Sequence, residues 1–190
     1  MDQLLPAWCR RTTQASPFGT LHLYWFETPA GPKVWQITLP TPWMRIFAVE
    51  SPEPVVAEES SCPMIDNLKE QLLLFLEGAD IRFHLELAAM ERCHPFQQRV
   101  LAAEHAVPHG HVTTYGRIAS HLKMPGAARA VGQALATNPF PLLVPCHRAV
   151  LASGRLGGYQ GGTVMKEELL RREGIEISEE KKVGFDRVFY

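Results

Sequence analysis

The sequence predicts an α+β fold: an N-terminal small antiparallel sheet with a helix, then a C-terminal, mostly helical domain carrying a helix-turn-helix. Two observations predict it. Up to residue 93, apolar side chains alternate within short runs rich in β-branched and aromatic residues; from residue 94 they recur at helical spacing between glycine and proline breaks. The first pattern suits strands with one buried face, and the second suits amphipathic helices. With 190 residues, 46% hydrophobic and 21% charged, the chain has the composition of an ordinary globular protein that can bury a core. The expected division is residues 1–93, residues 94–178 and a tail over 179–190.

Taken in order, Gly19 to Phe26 is rich in strand formers, Val34 to Leu39 alternates, and Gly31-Pro32 between them suggests a hairpin. Arg45 to Val49 is a third candidate strand, and the acidic, proline-bearing stretch Ser51 to Pro63 reads as a loop. Ile65, Leu68, Leu72 and Leu76 fall at helical spacing, with Gly78 as the stop. Phe83 to Leu87 is read as a returning strand. His22 and His84 lie in strand patterns and read as surface or core histidines. In the second half, Phe96, Val100, Leu101 and Val107 mark a helix ending before Pro108-His109-Gly110. Thr113 or Thr114 can cap the next helix, whose inner face is Ile118, Ala119 and Leu122. Pro125-Gly126 breaks it, and a helix over Ala127 to Ala136 follows, closed by Asn138-Pro139. Two short helices about a glycine-containing turn form a helix-turn-helix pattern, which an ordinary αα-corner would share. A last helix runs from Val164 to Arg172, with Leu169 and Leu170 inward and Gly174 as its stop. The charged tail from Ser178 reads as partly disordered, with Phe185, Val188, Phe189 and Tyr190 available to dock.

The net charge of -1 conceals an asymmetry: residues 1–94 carry 7 Lys+Arg against 12 Asp+Glu, and residues 95–190 carry 12 against 8. The second half therefore suits a polyanionic partner and the first does not. Cys9, Cys62, Cys93 and Cys146 form no CxxC pair, the start shows no secretory pattern, and no apolar run reaches membrane-spanning length. Free thiols in a reducing cytoplasm are expected (at the nucleoid in a bacterium), with no membrane partner.

The chemistry concentrates in Val144-Pro145-Cys146-His147-Arg148, which sets a thiol beside an imidazole and a guanidinium. A thiolate is the nucleophile of cysteine chemistry, and a neighbouring base or cation makes it available near neutral pH. A buried core cysteine is the plain alternative. The glycine-rich run Gly154 to Gly162 follows, and glycine lets backbone approach a ligand closely. Zinc held by Cys93, His94, Cys146 and His147 is disfavoured, because adjacent residues are poorly spaced to ligate one tetrahedral ion, and no metal is expected.

Further blocks accompany these: Pro95-Phe96-Gln97, Gly110 to Gly116, Ala128-Arg129-Ala130-Val131-Gly132-Gln133-Ala134, Asn138-Pro139, Gly157 to Gly162, Lys166, and Leu169 to Gly174. In this order they resemble the alkylguanine-DNA alkyltransferases, also called methylated-DNA–protein-cysteine methyltransferases, over roughly Phe96 to Gly174. The first half matches only in position and α+β character. The resemblance implies transfer of an alkyl group, typically methyl, from O6 of guanine in DNA, and less so from O4 of thymine. The group passes irreversibly to a cysteine, once per molecule and without a cofactor.

By that resemblance Cys146 is the nucleophile, His147 the base acting through a water, and Glu173 the group that orients His147. Tyr115 donates a hydrogen bond or proton to the leaving guanine, and Asn138 holds the supporting turn and polarises the network. Arg148 is expected to be structural, an ion pair beneath the site. A base within a duplex is out of reach and must be flipped out. Arg129 would fill the gap it leaves. Ala127, Ala128, Ala130, Gly132 and Ala134 would let the helix press into the minor groove, with Thr114 and Tyr115 also at the DNA, and reading would be sequence-independent. Leu135, Val144, Val150, Gly157, Tyr159 and Gln160 would join Tyr115 in lining the base pocket. The implied partner is double-stranded DNA containing O6-alkylguanine, and the protein a monomer. Two departures stand out. Ala149-Val150 follows Arg148 where larger pairs are usual, and Gln160 stands at a wall position that is often small, which would narrow the pocket against bulky alkyl groups. Related alkyltransferase-like proteins bind the same lesion with tryptophan in place of the cysteine; this chain keeps the cysteine. Two other readings stay open: a lesion-binding or signalling protein whose thiol does not transfer, and a regulator that uses the helix-turn-helix alone.

Overall fold

The computed structural model describes residues 9–40, 58–184 and 186–190. Three strands, β1 (Arg10–Ser16), β2 (Gly19–Thr28) and β3 (Gly31–Thr38), form an antiparallel sheet in chain order. The β2–β3 hairpin closes on the pair Thr28↔Gly31. Gly31 has φ +112, a backbone angle that side-chain-bearing residues avoid, which accounts for the glycine there. Leu21, Leu23 and Trp25 alternate onto one face with Val34 and Ile37, and all five are buried. Helix α1 (Pro63–Leu76) begins with proline at its first turn and lays Ile65, Leu68, Leu72, Phe75 and Leu76 inward. Gly78, at φ +102, turns the chain away.

β1 was not legible in the sequence. Its residues are mostly polar, and of its side chains only Thr12 is buried. The strand predicted over Phe83 to Leu87 is instead a single 3-10 turn, Leu85–Leu87. Leu87 and Ala88 donate back to His84 and Leu85, so this segment meets β3 at one bridge, Val34↔Ala88, rather than along a ladder. The candidate strand Arg45 to Val49 lies outside the described residues, as does much of the loop expected from Ser51 to Pro63.

In the second half, α2 (Pro95–His105), β4 (Thr113–Thr114), α3 (Tyr115–His121), α4 (Ala128–Ala136), β5 (Ala149–Val150) and α5 (Gly162–Arg172) follow in order. The Thr114 hydroxyl accepts from Arg117 N at 3.3 Å and caps α3. α3 and α4, joined through Gly126 at φ +88, form the helix-turn-helix and pack on α2. β4 pairs in parallel with β5, Thr113↔Ala149 and Thr114↔Val150. This two-residue ladder fixes the start of α3 relative to the turn that carries Cys146.

The described part of the tail is ordered against the body, while Phe185 lies outside the described residues. Ile177 bridges Val183, and Val112 N donates to Arg187 O at 2.9 Å while Phe189 N donates to Val112 O at 2.8 Å. Tyr190 donates its hydroxyl to Ala103 O at 2.9 Å. One buried core runs through both halves, joining Leu23, Leu72 and Phe75 to Val100, Ile118, Leu135, Val144 and Leu169. Ile37 N donates to Pro139 O at 2.8 Å across the same junction. Among the described residues, no helix is long and apolar enough to cross a membrane.

Candidate active site

Cys146 opens a single 3-10 turn, Cys146–Arg148, between Pro145 and β5. The turn is braced from below by Asn138, which follows the end of α4. Its amide nitrogen donates to Val144 O at 3.2 Å and to Cys146 Sγ at 3.4 Å, and its oxygen accepts from Phe140 N at 2.9 Å. Leu142 adopts φ +76 in the loop between them, a strained conformation for a residue with a side chain. Cys146 is buried, and burial pushes its thiol up to about 11, with the Asn138 hydrogen bond opposing. At rest the sulfur is therefore a neutral thiol.

His147 is fully buried, with Nε2 2.8 Å from Glu173 Oε1. The carboxylate fixes the Nε2–H tautomer, which leaves the lone pair on Nδ1, an atom that is buried and has no hydrogen-bond partner among the described residues. Burial lowers the pKa of His147 against the pull of Glu173, so the ring is neutral at pH 7. Glu173 caps α5 and gathers the site's strongest interactions. Arg148 Nε reaches Oε2 at 2.9 Å, Arg148 Nη2 reaches Oε1 at 2.9 Å, and Gly110 N donates to Oε2 at 3.3 Å. Burial alone would raise the acid, but His147 and Arg148 overcome it and hold Glu173 at about 2. Arg148 Nη1 also donates to Val107 O at 2.7 Å, so this guanidinium ties the site to the end of α2, the structural role expected of it.

Above the thiol lies a cavity of about 360 Å³, lined by Tyr115, Gly132, Leu135, Ala136, Cys146, Gly158, Tyr159 and Gln160. That volume is in the range of small-ligand sites. A larger groove of about 820 Å³ between the β2–β3 hairpin and α1 is lined by no cysteine. Tyr115, the first residue of α3, is kept protonated chiefly by burial, so it remains a donor. Gly157 and Gly132 lie against it: a β-carbon on Gly157 would sit 3.3 Å from the Tyr115 hydroxyl, and one on Gly132 3.9 Å from the ring. Gln160 donates to Ala136 O at 3.1 Å and Asn138 O at 2.8 Å, closing one wall of the cavity. The structure thus brings Cys146, His147, Glu173, Tyr115, Asn138, Leu135, Gly157, Tyr159 and Gln160 together.

Two pocket assignments are corrected. Val144 is fully buried in the main core and offers the site its carbonyl, not its side chain. Val150 packs in a second apolar cluster with Leu156 and Leu170. Thr114 is buried, and its hydroxyl oxygen accepts the bond that caps α3. On α4, Arg129 and Ala130 are exposed and Ala128 is half-buried.

These features invite comparison with known proteins. A family model described as the 6-O-methylguanine DNA methyltransferase DNA-binding domain matches residues 95–175. A methylated-DNA–protein-cysteine methyltransferase of Methanothermobacter thermautotrophicus is 38% identical over 122 residues, covering 64% of this chain and 68% of that protein. The chain belongs to the methylated-DNA–protein-cysteine methyltransferase family. The Salmonella typhimurium member is 52% identical over 80 residues, 42% of this chain and 47% of its own length. The Mycobacterium tuberculosis OGT solved in complex with DNA is 34% identical with TM-score 0.68, covering 86% of this chain and 92% of that one.

Two buried ionisable side chains of this family member have no role read from the sequence. Glu104 and Lys166 are both fully buried. Helical spacing carries the signal: Glu104 falls on the stripe of Val100, Leu101 and Val107, and Lys166 lies three and four residues before Leu169 and Leu170.

Proposed function

We propose that the protein repairs DNA by moving an alkyl group, principally methyl, from O6 of guanine, and less readily from O4 of thymine, in a duplex onto Cys146. One molecule acts once. The observation that carries this reading is the placement of Cys146 Sγ at the floor of the cavity with the hydrogen-bonded His147–Glu173 pair beside it and Tyr115 on the wall. In-line displacement at an alkyl carbon calls for a soft, strong nucleophile, which thiolate supplies. The His147 Nδ1 lone pair is the proton acceptor, reaching the thiol through a water, and Glu173 steadies the imidazolium that results. As the C–O6 bond breaks and the S–C bond forms, negative charge passes to guanine and is met by the Tyr115 hydroxyl.

The cavity is reached only by a base taken out of the stack, so α4 would enter the minor groove, with Arg129 in the vacated space and Ala130 against the sugars. An exposed arginine flanked by small side chains supports this placement. Such contacts read little sequence, and affinity falls as salt rises. The test is an intact mass after mixing with a duplex that contains one O6-methylguanine. A gain of one methyl mapping to Cys146, absent in Cys146→Ala, is expected. Retained lesion binding without the gain would favour recognition alone.

A further inference from the structure

Tyr115 begins α3, a helix of seven residues, so the helix decides where its hydroxyl stands. A helix this short is marginal in water, and its orientation comes from what it touches. Its first end is fixed by the β4–β5 ladder and the Thr114 cap, and its inner face packs Ile118 and Ala119 into the core. The outer face meets the end of the tail. Val112, the residue before β4, is gripped on both sides: its N–H donates to Arg187 O at 2.9 Å, and its carbonyl accepts from Phe189 N at 2.8 Å. Tyr190 then reaches two helices at once. Its hydroxyl donates to Ala103 O of α2 at 2.9 Å. Its ring lies on the His121 ring in the last turn of α3, with centroids 3.9 Å apart and planes 32° apart. Its carbonyl accepts from Arg117 Nη1 in the first turn of the same helix. Arg117 and His121 are four residues apart and so share one face of α3.

We propose that Tyr190 is a positioning residue for the alkyl transfer: it clasps α3 to α2 and to the strand before it, and so sets where the Tyr115 hydroxyl stands over the cavity. The inference rests on the reading of Tyr115 as the donor that meets the leaving guanine. Tyr190 is not among the residues that line the cavity, so it acts through the helix. With one end fixed and two adjacent residues facing inward, α3 is left free to rock about that line. The contacts on Arg117 and His121, one turn apart on the outer face, oppose the rocking. A donor works only within hydrogen-bond reach of the charge that develops, and a shift of about 1 Å costs up to about a hundredfold in rate.

The test is a double-mutant cycle on the full chain. Single-turnover methyl transfer from a duplex with one O6-methylguanine is timed for the wild type, Tyr190→Ala, Tyr115→Phe and the double variant. Protein is kept at concentrations that saturate the duplex, so that affinity does not enter. Tyr190→Ala is expected to slow transfer by about tenfold in the wild-type background. In the Tyr115→Phe background it should change the rate by no more than about twofold, since the hydroxyl it positions is already gone. Iodoacetamide modification of Cys146 without DNA needs no donor from Tyr115 and should keep its wild-type rate in Tyr190→Ala. If that variant does not fold, His121→Ala removes the other ring of the stack and is expected to give the same pattern. Equal losses in both backgrounds, a wild-type transfer rate in the folded variant, or a parallel change in iodoacetamide reactivity overturns the proposal. A wild type that transfers no methyl, or a Tyr115→Phe variant as fast as the wild type, overturns the underlying reading of the site and the proposal with it.

Discussion

Glu173 is the residue on which the site depends most. One carboxylate answers both a neutral imidazole and a buried guanidinium, and it is held at about 2 although burial pushes the other way. The sign of the resulting pH dependence follows from its depressed value. The stabilisation is fully present above the ordinary carboxylate value of 4.5 and is lost as pH falls from there towards 2. His147 acts in the same direction, since burial lowers its pKa and the unfolded chain takes up a proton first as pH falls below 6.5. Glu173→Gln leaves Arg148 buried without a counter-charge and should cost about 3–5 kcal/mol. In denaturant unfolding at a series of pH values, the variant should also lose the dependence below pH 4.5; an unchanged acid limb would show that Glu173 is not its source. At this scale the sequence was most informative for Cys146, His147 and Glu173, because their order in the chain carries the chemistry. It was silent on the partners of Arg148, since Val107 and Glu173 meet it only because α2 and α5 both pack against the turn that carries it.

Elements whose periodicity comes from a buried stripe were legible: α1, α3 and α4 lie within a residue or two of the expected bounds. Elements defined by long-range pairing were not. β1 is polar, β4 and β5 are two residues each, and the tail is ordered by hydrogen bonds to Val112 and Ala103 that no local pattern encodes. The junction of α1 with α5 is of this second kind. Arg172 Nη1 donates to Leu76 O at 2.7 Å, across the point where Gly78 turns. A β-carbon on Gly78 would lie 2.7 Å from Arg172 O, a backbone atom, and φ there is +102. Neither the clash nor the backbone angle can be relieved by rotating a side chain. Gly78→Ala should therefore destabilise by about 1–3 kcal/mol, read as a fall in melting temperature. Wild-type stability in that variant would mean that the two helix ends separate freely.

At the scale of the whole molecule, two pattern regimes in the sequence suggested a division near residue 94, whereas the apolar core runs across it. Phe75 of α1 packs edge-on to the His147 ring at 5.8 Å, and Arg172 of α5 lies 5.0 Å over the Phe18 ring near the start of β2. Leu72 belongs to the same buried cluster as Val144 and Leu169. A chain built this way should unfold as one cooperative unit. The sequence supplies its own reporters. All four tryptophans, at positions 8, 25, 35 and 43, lie in the first half, while α2 to α5, the bulk of the helical signal, lie in the second. Tryptophan fluorescence and far-ultraviolet dichroism should then give superimposable denaturant transitions. Leu72→Ala empties a fully buried position in α1 and should shift both curves together by about 2–5 kcal/mol, and with them the loss of Cys146 reactivity. If fluorescence moved while the helical signal and the thiol stayed in place, the two halves would be separate folding units. The first half would then serve the site only by proximity. Coincident shifts would instead make the sheet and α1 part of the support that holds His147 and Arg148 beneath the thiol.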